Sequence, residues 1–304
     1  MVRGPGLLLR LFATLVIVLV LALACATWFF FRRPLLLDEG MSRLALGQVG
    51  LSRREVTSPL GPQTVFVGGS GSPLVLVHGE GDQAGAWARI MTPLVETRRV
   101  VVPDLAGHGG SAPDEGPLSV DVLVEGLQAV VAETCGTEPV VLVGHSLGAL
   151  VAFTFAEENP QRVARLVAVN GGPISSSATE VPLRPRDRDD ARAMMEALMG
   201  SPADAIPGHV LGDIVRRAQN GPGSRLQQTA VAMGRFAMDD RLNELEVPVS
   251  LIWGEADELF DVSYARTLSS LLPKCDLELL EGCGHWPQRE CPVQTAEALE
   301  AVLP

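Results

Sequence analysis

The sequence predicts an α/β protein with a mostly parallel sheet flanked by helices. Five short aliphatic runs recur along the chain between longer amphipathic segments. Each run is nearly continuous rather than alternating between apolar and polar residues, which is typical of strands buried on both faces. Such strands, alternating with helices, predict parallel pairing through crossover connections. The runs are Leu74–Val77, Val100–Pro103, Val140–Val143, Leu166–Val169 and Val249–Trp253.

The amino-terminal segment differs sharply in composition from the rest of the chain. Leu11–Phe31 carries no charge. About 21 residues at roughly 1.5 Å per residue cover a hydrocarbon core of about 30 Å. Arg32 and Arg33 end the apolar run. Residues 1–36 are therefore predicted to be a transmembrane anchor.

A cleaved signal peptide is an alternative interpretation of this segment. Arg3 and Arg10 would form its basic start, and Ala22-Leu23-Ala24 or Ala24-Cys25-Ala26 resembles a cleavage site of small residues. A lipid-modified Cys25 is a third interpretation. Because arginines flank the apolar run on both sides, the orientation rests on the short leading tail. That tail favours a main domain outside the cytoplasm, on the periplasmic side of a bacterial inner membrane.

The remaining residues are divided into a linker at 37–52 and one domain at 53–304. About 260 residues suit a single α/β domain with an ample core. The net charge of −12 and the single lysine, Lys274, argue against nucleic-acid binding, which requires clustered Lys and Arg. The cysteines form no metal-binding pattern, but three near the carboxyl end either include one disulfide or are free buried thiols. These are Cys275, Cys283 and Cys291.

The other elements follow in a regular order. Arg54–Thr57 and Thr64–Val67, about the turn Leu60-Gly61-Pro62, predict an antiparallel hairpin at the sheet edge. Residues 171–246 lack the strand rhythm. A connection of that length predicts an inserted helical lid. The predicted helices of the main body are Ala84–Glu96, Val120–Glu133, Leu147–Glu158, Val262–Leu272 and Val293–Val302.

The segment Gly144-His145-Ser146-Leu147-Gly148 carries a strong chemical signal. It follows the buried strand at Val140–Val143 and opens an apolar helix, and in this context G-x-S-x-G forms a nucleophile elbow. The turn holds the serine in a strained conformation, and the glycines let strand and helix cross closely. Ser146 is therefore the predicted nucleophile.

A serine hydroxyl is a weak nucleophile at neutral pH, so the chemistry requires a histidine that accepts its proton. The chain has five histidines. His285 alone follows the last predicted strand, in Gly282-Cys283-Gly284-His285-Trp286-Pro287, and is the predicted general base. Of the others, His78 ends a strand and His108 lies in a glycine-rich loop. His145 adjoins the serine, and His209 lies in the insertion.

The acid that orients the histidine should lie at the carboxyl end of a strand, between serine and histidine in chain order. Asn170 follows the strand Leu166–Val169 and cannot carry the charge. Asp257 follows the strand Val249–Trp253 and is the predicted acid, with Asp261 as the second choice.

Backbone donors for a tetrahedral oxyanion are usually the amide after the nucleophile and one from the loop after the third strand. Leu147 and Glu80 occupy these positions. Glu80 would act through its backbone N–H, with its side chain either facing solvent or tuning the pocket. This chemistry requires no metal and no organic cofactor, and none is predicted.

Five motifs stand in order along the chain: His78-Gly79-Glu80-Gly81, Pro103–Ser111, Gly144–Gly148, Gly254–Asp257 and Gly284-His285-Trp286-Pro287. Together they resemble the α/β-hydrolase superfamily over roughly Val56 to Leu303. The resemblance implies the α/β-hydrolase fold, and it places Asp104 and His108 in a loop that shapes the site. A serine at position 146 argues against the epoxide-hydrolase and haloalkane-dehalogenase branches. Residues 254–261 are faintly similar to monoacylglycerol lipases, and the compact insertion is similar to bacterial carboxylesterases and carbon–carbon bond hydrolases.

The predicted function is that of a membrane-tethered serine esterase or lipase. Ser146 would attack an ester carbonyl, His285 would shuttle the proton and Asp257 would orient the imidazole; water would then cleave the acyl-enzyme. An acyltransferase, a perhydrolase and a carbon–carbon hydrolase are alternatives with the same triad. A non-catalytic, membrane-tethered binding protein is the alternative from another class. The expected partners are a membrane and a small-molecule ester or acyl substrate, including lipidic esters.

Overall fold

The computed structural model describes residues 5–175, 181, 183–227 and 236–304. The strands are β1 (Ser52–Ser58), β2 (Gly61–Gly69), β3 (Pro73–Val77), β4 (Arg99–Pro103), β5 (Val140–His145), β6 (Val163–Val169), β7 (Val249–Gly254) and β8 (Cys275–Leu280). They form one eight-stranded sheet in the order β1-β2-β4-β3-β5-β6-β7-β8. The β1–β2 and β2–β4 pairs are antiparallel, and every other pair is parallel. The predicted mostly parallel sheet with an edge hairpin is confirmed.

Helices cover both faces of this sheet. The predicted helix Leu147–Glu158 has the predicted bounds, whereas the predicted helix Ala84–Glu96 is a 3₁₀ segment at Ala84–Ile90 followed by a short α-helix. The α-helices of the main body are α3 (Met91–Thr97), α4 (Val120–Cys135), α5 (Leu147–Glu158), α9 (Val262–Leu271), α10 (Pro287–Glu290) and α11 (Pro292–Val302).

Side chains on the two faces of the central strands enter two separate hydrophobic clusters. Val75 and Val77 of β3 pack with the cluster that includes α4 and α5. Leu74 and Leu76 of the same strand pack with the cluster around Trp87 on the opposite face. All of β3 is buried. Burial on both faces explains why the strands appear as continuous apolar runs in the sequence.

The described part of the insertion between β6 and β7 contains three α-helices joined by turns and irregular segments. Residues 176–180, 182 and 228–235 of the predicted lid at 171–246 lie outside the described residues. The helices of the insertion are α6 (Arg188–Met199), α7 (Gly208–Asn220) and α8 (Pro222–Gln227). Asp187 caps α6 by accepting hydrogen bonds from the backbone N–H groups of Asp189 and Asp190, and Gly200 ends the helix in a left-handed conformation.

Two helices precede the sheet, α1 (Pro5–Arg32) and α2 (Pro34–Gln48). Among the described residues, one segment, Leu9–Arg32 in α1, is long and apolar enough to cross a membrane, with a mean hydropathy of 2.6 and no buried residues. Pro34 separates the two helices at the first position of α2, where the missing N–H costs no intrahelical hydrogen bond.

Most of the predicted linker at 37–52 lies within the helix α2. Leu46 of α2 is buried in the hydrophobic cluster around Trp87. The polar residues of α2 have distant partners. Arg43 donates to Asp104 at 2.8 Å, and Glu39 forms an ion pair with Arg217 of α7. These contacts make α2 part of the domain.

Candidate active site

Ser146 lies in the tight turn between β5 and α5. Its φ of +53° is in the left-handed region, which a side chain rarely adopts and which costs about 1–3 kcal/mol. The flanking glycines explain how the turn is accommodated. A Cβ on Gly144 would lie 2.3 Å from the carbonyl oxygen of Gly148, and a Cβ on Gly148 would lie 2.4 Å from the carbonyl oxygen of Val77. The G-x-S-x-G spacing is therefore a packing requirement.

Three predicted residues come together in one hydrogen-bonded chain. The Oγ of Ser146 lies 3.0 Å from Nε2 of His285, and Nδ1 of His285 lies 2.8 Å from Oδ2 of Asp257. His285 and Asp257 are 3% and 2% exposed. Oδ1 of Asp257 accepts hydrogen bonds from the backbone N–H groups of Leu259 and Phe260. In this arrangement Nδ1–H donates to a fixed carboxylate, and Nε2 is available to accept a proton from the serine.

Asn170, which the sequence analysis used only to exclude an acid at β6, also contacts this chain. Its Nδ2–H donates to Oδ2 of Asp257 at 2.7 Å, and its Oδ1 accepts from the N–H of Gly254 at 3.0 Å. The backbone of Asn170 is left-handed, with φ +44°. A polar residue directly after β6, beside the strand that carries the acid, was the signal that could have identified this contact.

Asp261, the second choice for the acid, lies outside the hydrogen-bonded chain. Its side chain caps α9 by accepting from the N–H of Tyr264 at 3.0 Å. A hydrogen bond from the Ser263 hydroxyl, together with this capping bond, holds the pKa of the Asp261 carboxyl below its usual value. The residue is an N-cap, which is the ordinary role of an aspartate before a helix.

His78 fixes the peptide group that precedes Glu80. Its Nδ1 lies 2.8 Å from the carbonyl oxygen of Gly79, and its Nε2 accepts from the N–H of Leu105 at 2.9 Å. Because Nε2 accepts, Nδ1 carries the proton and donates to Gly79. The C=O and the following N–H of a trans peptide point in opposite directions. The His78 contact therefore sets the direction of the Glu80 N–H.

Glu80 and Leu147 both line the same cavity as Ser146. Leu147 is the first residue of α5, where backbone N–H groups have no intrahelical partner. The Glu80 carboxylate forms an ion pair with Arg184 of the insertion, so its side chain does not simply face solvent.

His145 and His108 are buried histidines near the site. The Nε2–H of His145 donates to the carbonyl oxygen of His285 at 2.7 Å. Burial lowers the pKa of His145 well below its usual value, with His285 nearby as the next cause. Burial, followed by the proximity of His78, lowers the pKa of His108 to about 3. Both side chains are therefore neutral at physiological pH.

Asp104 lies at the centre of the loop after β4. Its carboxylate accepts hydrogen bonds from the N–H groups of Ala84 and Gly110, each at 2.8 Å, and from Arg43. The Asp104 side chain therefore links the Pro103–Ser111 loop to helix α2 and to the 3₁₀ segment that begins at Ala84. This agrees with the expectation that Asp104 and His108 shape the site and take no part in proton transfer.

The cavity above Ser146 has a volume of about 390 Å³. One part of its wall is apolar and includes Met194, Ile214 and Phe260. Another part carries charge, and its arginines are paired: Arg184 with Glu80, and Arg217 with Glu39. The cavity falls within the range of about 300–1,000 Å³ that is usual for small-molecule sites.

The insertion is hydrogen-bonded to the two loops that carry Asp257 and His285. The N–H of His285 donates to the carbonyl oxygen of Leu198 at 2.6 Å, and the N–H of Glu258 donates to that of Ala197 at 3.2 Å. Both carbonyls belong to the last turn of α6, where they lack intrahelical partners. Within the described ranges, no group of His, Cys, Asp or Glu side chains could hold a metal ion.

A model of the α/β-hydrolase family matches residues 74–298 of the chain. The match includes the serine elbow, the acid loop and the histidine loop. The chain belongs to the α/β-hydrolase family. Its relatives and structural neighbours include esterases, lipases and other hydrolases, among them a 2-hydroxymuconate semialdehyde hydrolase of Pseudomonas.

Two relatives among the curated proteins act on carboxylic esters by name. A pimeloyl-[acyl-carrier protein] methyl ester esterase of Aromatoleum aromaticum is 31% identical over 250 residues, covering 76% of this chain and 97% of the relative. A monoacylglycerol lipase of Homo sapiens is 26% identical over 248 residues, covering 74% and 73%.

A solved structure matches nearly the whole α/β-hydrolase chain. It is that of a membrane phospholipase A described as a bacterial virulence factor. The TM-score is 0.76 and the identity 26%, with 95% of this chain and 97% of the other covered.

Proposed function

We propose that this α/β hydrolase cleaves a carboxylic ester through an acyl-enzyme on Ser146. The observation that carries the proposal is the buried chain of hydrogen bonds from Ser146 through His285 to Asp257 at the base of a closed-in cavity. His285 takes the serine proton as Ser146 attacks the ester carbonyl, and it returns that proton to the leaving alcohol. Water, deprotonated by the same imidazole, then releases the acid.

In this proposal the oxyanion is stabilised by the backbone N–H groups of Leu147 and Glu80. Both residues border the cavity beside Ser146. The contact from His78 to the Gly79 carbonyl supports this role because it holds the Glu80 peptide in one orientation before substrate binds. Asp257 orients the imidazole and stabilises the imidazolium that forms during attack.

The proposed substrate is an amphiphilic ester with one acyl chain. The apolar part of the cavity wall suits an acyl chain, and the charged part suits a polar group. The names of a monoacylglycerol lipase and a membrane phospholipase A among the similar proteins support the same substrate class. We further propose that the insertion acts as a lid whose α6 end stays attached to the relay loops.

We also propose that α1 anchors the enzyme in a membrane, with the hydrolase domain outside the cytoplasm. The apolar segment Leu9–Arg32 has the length and composition for a span. A disulfide between Cys283 and Cys291 supports an oxidising compartment for the domain, since such bonds persist outside the cytoplasm. Cleavage of the segment as a signal peptide is the alternative.

A carbon–carbon bond hydrolase is the second candidate. It is favoured by a relative named 2-hydroxymuconate semialdehyde hydrolase, which is 28% identical over 238 residues. The two candidates share the nucleophile and differ in the bond that breaks. Product analysis with an ester and with a vinylogous diketone separates them, and added alcohol or peroxide as a competing acceptor reveals acyltransferase or perhydrolase activity.

The proposal is tested by replacing Ser146 with alanine. Ser146→Ala should lower kcat/KM for p-nitrophenyl butyrate by about 10³-fold or more, because nucleophile and base act as a unit. A fluorophosphonate probe should label the wild-type protein and leave the variant unlabelled. The melting temperature should stay close to that of the wild type, since alanine keeps the Cβ and the same turn.

Ser270→Ala is the matched control. Ser270 is exposed on α9, and its hydroxyl bonds only to the helix backbone at Thr267. It should retain wild-type turnover and labelling. Unchanged ester turnover in Ser146→Ala would refute the assignment, and absence of both turnover and labelling in the wild type would favour the non-catalytic binding protein.

A further inference from the structure

A disulfide closes the loop that carries His285. Cys283 and Cys291 are bonded and stand eight residues apart, so His285 lies inside a small covalent ring. The sequence alone leaves open whether these cysteines pair. Cys283 is fully buried, and its carbonyl oxygen accepts the N–H of Ala256 at 2.8 Å, one residue before Asp257. One end of the ring is therefore attached to the acid loop.

Glu290 holds the same ring from inside. One carboxylate oxygen accepts the N–H of Gly284 at 3.1 Å, and the other accepts the N–H of Trp286 at 2.9 Å. These are the backbone amides on the two sides of His285. Charge-assisted bonds to two amides fix the loop more firmly than neutral ones would.

Neither the disulfide nor Glu290 borders the cavity, whereas His285 and Trp286 do. Substrate contacts therefore do not explain the ring. Glu290 acts on the backbone amides on both sides of the imidazole, and the carbonyl of His285 is held separately by His145.

We propose that the Cys283–Cys291 disulfide is a thiol–disulfide exchange site that controls the position of His285, with Glu290 as a positioning residue. The inference rests on the proposed serine hydrolase function. Oxidised, the ring holds Nε2 within hydrogen-bond distance of Ser146. Reduced, the loop loses its covalent closure, and the imidazole samples positions in which it accepts the serine proton less efficiently.

The exchange consumes one dithiol reductant per disulfide. A thiolate of the reductant attacks the sulfur of Cys291, the less buried of the two, and Cys283 leaves as a thiolate that takes up a proton. The second thiol of the reductant then displaces Cys291. Two protein thiols and one oxidised reductant result, so two electrons have moved to the protein.

The first test compares oxidised enzyme, enzyme reduced with dithiothreitol under native conditions, and the Cys283→Ser/Cys291→Ser variant. We expect kcat for p-nitrophenyl butyrate to fall about tenfold in both altered forms, because small displacements of a catalytic group cost one to two orders of magnitude. KM should stay within about twofold, since the ring has no contact with substrate. Reoxidation should restore kcat in the wild type.

Cys275→Ser is the matched control. Cys275 is a free cysteine on β8, and this variant should respond to reductant as the wild type does. Mass spectrometry of alkylated protein counts the thiols, and circular dichroism verifies that the reduced enzyme is folded. An unchanged kcat in folded, fully reduced enzyme would overturn the proposal. A rise in KM as large as the expected fall in kcat would also overturn it.

The second test uses the pH profile of Glu290→Gln. The Glu290 carboxylate accepts hydrogen bonds from the amides of Gly284 and Trp286, and it interacts electrostatically with His285 and Asp257. Arg289 directs its guanidinium to Asp82 and Asp38 instead, and Arg89 bonds to the carbonyl of residue 289.

Removing the charge makes the imidazolium less favourable. The acidic limb of kcat/KM should therefore move to lower pH by about 0.2–0.5 units, a modest shift because Glu290 is partly exposed. Glu290→Asp should restore part of the wild-type profile, and Glu300→Gln on the exposed side of α11 should leave it unchanged. An unshifted profile would assign Glu290 a purely structural role.

The outcome also separates this inference from the proposed function. If oxidised wild-type enzyme neither hydrolyses esters nor reacts with a fluorophosphonate, the serine hydrolase assignment fails. If it does both and reduction changes neither kcat nor the labelling rate, only the role of the disulfide fails.

Discussion

Two regions of the cavity are built in different ways. The reactive floor, defined as Ser146, His285, Asp257, Asn170 and His78, consists of side chains at the carboxyl ends of strands. Apart from Ser146, these side chains are nearly fully buried, and each bonds to a backbone group or to another member of the floor. The outer wall, defined as Glu39, Arg217, Glu80 and Arg184, is made of partly exposed ion pairs between separate segments.

The difference indicates what each region can change. Buried hydrogen bonds are costly to break, because an unpaired buried polar group loses about 1–3 kcal/mol. Partly exposed ion pairs are worth about 0–1 kcal/mol and can exchange partners with a charged ligand. We therefore expect substitutions in the floor to act on kcat and substitutions in the wall to act on substrate preference.

Among the floor residues outside the relay, the largest effect is expected at His78, which touches neither the serine nor the relay. His78→Leu removes the donor that orients the Glu80 peptide. Because loss of one oxyanion donor costs about 10²–10³-fold, we expect kcat for p-nitrophenyl butyrate to fall by about 10²-fold with KM within about twofold. Steady-state kinetics and active-site titration measure this directly.

His209→Leu is the control for the His78 variant. His209 is a histidine of the wall helix α7 and contacts the rings of Phe30 and Phe31 at the end of α1. Its kcat should match that of the wild type. If His78→Leu raised KM and left kcat unchanged, the floor would contribute to binding as the wall does, and the distinction between the two regions would not hold.

A smaller effect is expected at the wall. Glu39→Gln removes the partner of Arg217, which then presents an uncompensated positive charge to the cavity. We expect the ratio of kcat/KM for p-nitrophenyl monosuccinate over p-nitrophenyl butyrate to rise about two- to fivefold at low salt. The increase should shrink as ionic strength rises.

Glu55→Gln is the matched control, since Glu55 pairs with Arg53 on the exposed edge strand β1. It should not change the ratio. A fall in kcat of both substrates in Glu39→Gln, with an unchanged ratio, would instead indicate that the wall positions the catalytic groups.

The same two regions differ in how well the sequence predicts them. The floor depends on short motifs at strand ends, so Ser146, His285 and Asp257 follow from local patterns. The wall depends on pairs far apart in sequence. Arg217 and Glu39 are 178 residues apart, as are Asp213 and Leu35, whose N–H donates to the Asp213 carboxylate. No local pattern encodes such a pair, and α2 was therefore predicted to be a linker. Asn170 was missed because its role requires knowledge that β6 and β7 are neighbours.

The smallest effect on turnover is expected for His108, which is buried next to His78 of the floor. Its substitution should change the pH dependence of the unfolding free energy and leave turnover nearly unchanged. Its pKa is about 3 in the folded chain and about 6.5 when unfolded, because burial penalises the charged form. The unfolded state therefore binds a proton below about pH 6.5 that the folded state does not, and stability falls as the pH falls. One such histidine contributes up to about 1.4 kcal/mol of unfolding free energy per pH unit between these values.

His108→Gln removes this titration while retaining an amide donor toward the carbonyl oxygen of Ala106, to which Nδ1 of His108 bonds. Urea denaturation at pH 7.5 and at pH 5 should give a smaller loss of unfolding free energy for the variant than for the wild type, by about 1–2 kcal/mol. Turnover at pH 7.5 should stay within about twofold of the wild type, because the histidine is neutral there and outside the relay. An equal loss of stability in both proteins would mean that His108 is protonated in the folded chain. The loss of unfolding free energy at low pH would then originate in other titratable groups.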